Sequence, residues 1–257
     1  MISKTLLKKI ASYKQKKYRD LDKVFVVEGE KMVKEAILSS FEIVCICAIK
    51  DWIENNKDLL EQIEYYEVSY SELERISNLT TPNSVLAILS QKEMRMPDIK
   101  NISNNLSLML DNVSNPGNFG TIVRLCSWFG IKNIICSETT TDCYNPKVVQ
   151  ASMGAIFHTD IHYCNILDLL DSLPKDLPIY ATVLREGKNI YMENLAQKGI
   201  IVLGNESFGV SKEVLQRVTH KITIPSFAEN KQVESLNVSM ATAIILSEFR
   251  REVKKNI

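Results

Sequence analysis

Three polar clusters carry the residue types that could handle a polar ligand. They are Asn115-Pro-Gly-Asn-Phe-Gly, Gly204-Asn-Glu-Ser-Phe-Gly, and Ile224-Pro-Ser running on to Glu234-Ser-Leu-Asn237. Brought together, they would offer Arg124, Glu206, Ser235, several Asn side chains and many backbone amides. They include no His, no Cys placed as a nucleophile, and no Walker or GxGxxG pattern. Such a set suits orienting a polar ligand better than acid–base work at neutral pH. Taken singly, each residue also has a bland reading. Arg124 fits the surface of an amphipathic helix, Asn118 a helix cap, Ser235 and Asn237 a turn, and Glu206 a loop charge.

The elements that must position these clusters are short apolar runs. Leu106–Leu110 has the length of a buried strand, and Ile122, Leu125, Cys126 and Phe129 follow helical spacing after it. The polar stretch between them has turn chemistry, with Asn118 as candidate N-cap and Gly130 as the residue ending the helix. Ile200–Leu203 and Lys221–Ile224 are further strand candidates, each running into one of the other polar clusters. In open α/β sheets ligands bind where loops leave the carboxyl ends of strands, because amides and helix N-termini converge there. Residues 1–91 show their own strand and helix alternation, which indicates α/β layering. Residues 92–105 change to Lys, Glu, Arg, Pro, Asp and an Asn/Ser run, and are read as a linker. Residues 106–257 form the second domain, closed by a helix over Ser239–Arg251.

Composition narrows the function classes. The chain has 257 residues, 45% hydrophobic and 24% charged, with no formal net charge. No apolar run is long enough to span a bilayer, and the start of the chain lacks a secretion-signal pattern. Six cysteines without a CxxC pair and three histidines away from zinc spacing predict no metal site and a reducing, cytoplasmic location. Charge is uneven, however. Residues 1–23 carry seven Lys and one Arg against Asp20 and Asp22, a net +6 that suits either a solvated helix face or a phosphate-contacting patch.

The three clusters also carry a resemblance. Asn118-Phe-Gly-Thr-Ile-Val-Arg124, Leu203-Gly-Asn-Glu206, and Ile224-Pro followed by Ser235-Leu-Asn-Val-Ser239 look like the motifs of a SpoU-class (TrmH-like) RNA ribose 2′-O-methyltransferase of the SPOUT superfamily. The Lys/Arg-rich start and the Val-Phe-Val-Val-Glu-Gly-Glu run resemble the L30e-like substrate-binding domain often found before it. The resemblance implies an N-terminal L30e-like α/β domain and a C-terminal parallel-sheet domain with a trefoil knot, a topology that ordinary rules would not propose. It implies S-adenosylmethionine held by Leu203, Gly204, Ile224 and Leu236, largely through backbone groups. Arg124 would act at the ribose 2′-hydroxyl, as base or as stabilising cation, assisted by Asn118, Glu206, Ser235 and Asn237. It also implies a homodimer acting on RNA; the added N-terminal domain leans toward ribosomal RNA, and a tRNA 2′-O-methyltransferase is an alternative. A non-catalytic RNA-binding or ribosome-assembly protein is the alternative from another class. The third motif departs from the pattern: Ser226-Phe227-Ala228 replaces the usual glycine, and the loop containing Glu229, Asn230, Lys231 and Glu234 is longer.

Overall fold

The computed structural model describes residues 2–228 and 234–251. It divides into two compact units, residues 1–93 with 143–158, and residues 94–142 with 159–257.

The first unit begins with α1 (Lys4–Ser12) and α2 (Lys16–Asp22). Ser3 caps α1 by accepting from the Leu6 N–H at 3.2 Å, and the helix buries Leu7 and Ile10. Buried Arg19 donates to the carbonyls of Tyr13 and Lys14, which fixes the turn between the helices. Next come β1 (Val24–Glu28), α3 (Glu30–Ile37), β2 (Ile43–Ala48), α4 (Lys50–Asn55), β3 (Tyr65–Glu67), α5 (Tyr70–Ile76) and β4 (Val85–Ser90). The sheet order is β1-β4-β2-β3, with β2 and β3 parallel and the other pairs antiparallel. Glu28 is buried, and its carboxylate accepts from the Asn78 backbone and side chain at 2.8 and 2.9 Å, which latches the loop after α5.

In chain order there follow α6 (Ile99–Asn104), β5 (Leu106–Leu110), α7 (Pro116–Trp128), β6 (Asn133–Ser137) and α8 (Pro146–Ser152). Then come β7 (Asp160–Cys164), α9 (Ile166–Ser172), β8 (Ile179–Thr182), β9 (Lys188–Asn189), β10 (Gly199–Leu203), α10 (Lys212–Leu215), β11 (His220–Thr223) and α11 (Val238–Arg250). All seven strands from β5 onward join one parallel sheet, ordered β7-β6-β5-β10-β8-β11-β9. β5, β6 and β10 are buried throughout, as strands covered on both faces must be, and they are mostly apolar for that reason, with Ser107, Asn133 and Ser137 as buried polar exceptions.

Three elements differ from expectation. Residues 92–105 are not all linker: Asp98 caps α6, which buries Ile102 completely. Two isoleucines, Ile99 and Ile102, in a six-residue polar helix were too weak a period to reveal it. The 143–158 segment, read as part of the second domain, clusters with the first unit. Its Tyr144 ring lies 4.6 Å from Phe25, and Phe157 lies 5.6 Å from Phe41. The cap of α7 is Asn115 and not Asn118: the Asn115 side chain accepts from the Gly117 and Asn118 N–H groups, with Pro116 opening the helix. All six cysteines are buried and none forms a disulfide. Among the described residues no helix is long and apolar enough to cross a membrane.

β11 sits between β8 and β9, two strands that follow one another in the chain. Ile222 therefore pairs with Thr182 on one side and Lys188 on the other, and residues 183–187 must cross over it. Gly187 is the crossing point. A Cβ there would lie 2.8 Å from Ile222 C and 2.7 Å from Val183 Cγ2. Gly187→Ala should therefore lower stability by about 1–3 kcal/mol, read from the denaturant midpoint, because the bridge has to lift off β11.

Candidate active site

The carboxyl ends of β5 and β10 lie side by side, in register from Leu106 with Gly199 to Leu110 with Leu203. Two polar loops leave from these ends, and both are fixed by hydrogen bonds that each residue's chemistry explains. Asp111 donates its N–H to the Leu203 carbonyl at 2.8 Å, and its buried carboxylate accepts from the Ser211 N–H at 2.7 Å. Asn112 adopts a left-handed φ of 61°, a conformation asparagine tolerates better than most residues. Its N–H donates to Ser137 Oγ and its carbonyl accepts from Asn205 Nδ2, at 2.9 and 2.8 Å. Sequence reasoning missed Asp111, Asn112 and Asn205 as organisers. The available signal was an Asp-Asn pair directly after a buried strand.

Because Asn115 does the capping, the Asn118 side chain is free for another task. Its Nδ2 donates to Glu206 Oε1 at 3.0 Å, and its Oδ1 accepts from Asn237 Nδ2 at 3.0 Å. Asn237 in turn accepts from the Ser239 and Met240 N–H groups and so caps α11. A chain of three side chains, Glu206–Asn118–Asn237, thus joins the three polar clusters. The Glu206 carboxylate also accepts from the Ser114 N–H, the Ser114 hydroxyl and the Asn115 N–H, at 3.0–3.2 Å.

Arg124 is exposed on α7, two turns beyond Asn118, and among the described residues its guanidinium has no partner. Ser235 and Leu236 are exposed immediately before Asn237. Leu203 is buried, with its carbonyl taken by Asp111, and Gly204 lies against the Gly209–Val210 backbone. The structure therefore brings Asn118, Glu206 and Asn237 into direct contact. It records no hydrogen bond from Arg124 or Ser235 to them. Residues 229–231 of the longer loop lie outside the described residues.

Residues 105–247 match the model of the SpoU rRNA Methylase family, and residues 4–87 match an MRM3-like substrate binding domain. The chain belongs to the SpoU rRNA methylase family. It is 27% identical over 256 residues to the Bacillus subtilis 23S rRNA (guanosine(2553)-2′-O)-methyltransferase RlmP, covering 95% of this chain and 100% of that one. A solved TrmH-family structure from Porphyromonas gingivalis is 34% identical, with TM-score 0.84 over 98% of this chain and 99% of that one. An AdoMet-bound rRNA methyltransferase from Sinorhizobium meliloti is 26% identical, with TM-score 0.85 over 99% and 98%.

In this SpoU chain the ionisation of Glu206 is set by opposed effects. Partial burial pushes its pKa up, but hydrogen bonds from the Asn118 amide and the Asn115 and Ser114 N–H groups outweigh it. The net shift is below the ordinary glutamate value of 4.5. Glu206 is therefore an acceptor of hydrogen bonds and no proton acceptor at neutral pH. A carboxyl whose folded pKa is lowered stabilises the fold above the unfolded value, and loses that contribution as pH falls through the folded one. The stability difference between wild type and Glu206→Ala should thus hold steady from neutral pH down to 4.5 and shrink on further acidification, as melting curves across pH would record.

Proposed function

We propose that this protein transfers a methyl group from S-adenosylmethionine to a ribose 2′-hydroxyl of ribosomal RNA. The observation that supports this reading is the Glu206–Asn118–Asn237 chain, which ties the three family motifs together, with Arg124 exposed on the same helix as Asn118.

The donor set fits the cofactor. Ile224 and Leu236 lie outside regular secondary structure, and among the described residues their backbone groups have no hydrogen-bond partner. These groups, with Gly204 and the end of β10 at Leu203, are the ones that would hold it. When bound, the cofactor supplies an electrophilic methyl on a sulfonium. The chain's own residues align the attacking ribose and stabilise charge. A guanidinium with no carboxylate beside it is available to a ribose oxygen or a neighbouring phosphate, and it favours negative charge developing on the 2′-oxygen. Asn118 and Asn237 hold the loops and orient the ribose. Ser235 stands exposed at the same loop as a further hydroxyl for it. Much of the rate comes from alignment of oxygen, methyl and sulfonium.

The basic start of the chain supports RNA as the substrate. Lys9 pairs with Asp22 and Lys16 with Asp20, while Lys4, Lys8, Lys14 and Lys17 have no carboxylate partner among the described residues. Apolar side chains exposed on α7 and α11, Trp128 at 81% and Met240 at 64%, support a homodimer. The buried, unbridged cysteines support a cytoplasmic location.

The test is calorimetric titration of S-adenosylmethionine into the purified protein, with its mass in solution measured alongside. Binding at one site per subunit, with transfer of labelled methyl to a ribosomal RNA transcript, supports the reading. No binding, with or without RNA, would replace it by a non-catalytic RNA-binding role.

A further inference from the structure

Phe208 and Phe227 are aromatics of the site loops whose exposure the chemistry so far does not explain, and Phe208 is the one on a hydrogen-bonded turn beside Glu206. It is 87% exposed, two residues beyond Glu206. Its backbone is nevertheless tightly held. Asn205 Oδ1 accepts from the Ser207 and Phe208 N–H groups at 2.9 and 3.2 Å. Asn205 and Gly209 exchange two backbone hydrogen bonds across the loop, at 3.0 and 2.9 Å, and Gly209 takes a left-handed φ of 71°. Asn205 Nδ2 then ties the loop to the Asn112 carbonyl. The ring is thus presented outward by a rigid turn and has little freedom to fold back onto its own unit.

The neighbours say what it suits. Ser207, Lys212 and Glu213 are also exposed, so along its own loop Phe208 is an aromatic among polar and charged residues. The centre of a protein–protein interface is depleted in charge, which describes this setting poorly. Single-stranded RNA, in contrast, is recognised by stacking its bases on exposed aromatic rings within a polar, phosphate-binding surface. A preordered ring meets its ordering cost before the ligand arrives.

Resting on the function proposed above, we propose that Phe208 is a stacking platform for a nucleobase of the RNA, at or next to the nucleotide whose ribose is methylated. It positions the base while Arg124 and the Glu206–Asn118–Asn237 chain act on the ribose. Phe208 touches substrate and takes no part in the transfer step.

The experiment compares wild type, Phe208→Ala and Phe208→Trp, using an unmodified 23S ribosomal RNA transcript as probe. Phe208→Ala should raise KM for RNA about tenfold, with unchanged affinity for S-adenosylmethionine and unchanged mass in solution. Phe208→Trp should restore KM, and its fluorescence should be quenched by the RNA beyond the quenching of wild type, which reports on Trp52 and Trp128. An RNA KM within about twofold of wild type in Phe208→Ala, without extra quenching in Phe208→Trp, overturns the proposal. So does a drop in mass, which would assign the ring to contact with a second copy. If wild type binds the transcript but transfers no methyl, the proposed function fails on its own. Quenching in Phe208→Trp would still establish the stack.

Discussion

Arg124→Ala should lower kcat for methyl transfer by roughly a hundred- to a thousandfold, while the affinity for S-adenosylmethionine stays at the wild-type value. Arg124 lies on the exposed side of α7 and among the described residues makes no hydrogen bond or ion pair with the loops at Leu203–Gly204, Ile224 or Leu236, so removing it disturbs none of the groups proposed to hold the cofactor. The helix does not need it either, since α7 is capped by Asn115 and anchored by Phe119, Ile122, Val123 and Cys126 in the core. What is lost is the cation and fork of donors proposed to act at the ribose. Arg124→Lys should recover only part of the rate, because a point charge replaces the planar fork. Single-turnover rates beside calorimetric affinities separate the two quantities. Full activity in Arg124→Ala would remove the residue from the mechanism.

Gly204→Ala should destabilise the second unit by about 3 kcal/mol and abolish cofactor binding. A Cβ at this position would sit 2.0 Å from Gly209 C and 2.1 Å from Val210 N. These are backbone atoms, and no rotamer change moves them away. The turn that carries Glu206 would have to open, breaking the paired hydrogen bonds between Asn205 and Gly209 and taking the Glu206 carboxylate away from Ser114, Asn115 and Asn118. The same glycine that would approach the cofactor is thus required by the packing of its own loop. Melting temperature and calorimetric affinity measured on one preparation check both effects. A melting temperature equal to wild type would mean that the loop swings aside without cost.

The strands that carry the site were legible because they are buried on both faces. Leu106–Leu110 and Ile200–Leu203 stand out as apolar runs bounded by Asn, Gly and Ser, and their boundaries agree with the structure to within a residue. The polar clusters were legible as breaks after those strands, but the first of them is only partly loop: Asn115 caps α7, and Pro116, Gly117 and Asn118 form its first turn. The partnerships between them were not. Asn118 follows a turn and precedes an apolar period, which is as good a description of a cap as Asn115 satisfies. Only the approach of Glu206, eighty-eight residues away in sequence, decides that Asn115 caps and Asn118 bridges. β9 was equally hidden. It is two residues long, Lys188–Asn189, and becomes a strand only because β11 offers it an edge. The packing of Tyr144 and Phe157 onto Phe25 and Phe41 depends on long-range contacts, and no local period reports it.

The bridge of residues 183–187 over β11 bears on how this chain reaches its native state. β8 and β9 leave the ribosome before β11, so the strap exists in sequence before the strand that must lie beneath it. β11 has to take its place along the edge of β8 before β9, whose neighbour in the sheet is β11, can close over it, and an early pairing of β8 with β9 would shut it out. Topologies dominated by distant pairings fold slowly, and this one adds an ordering constraint to the distance. Refolding from denaturant should then lag behind unfolding, with recovery limited by the entry of Lys221 and Ile222 under Gly187. The same constraint works in the enzyme's favour once it is folded. Ile224, which follows that strand into the site, is held by a segment that cannot peel away without the whole passage being retraced.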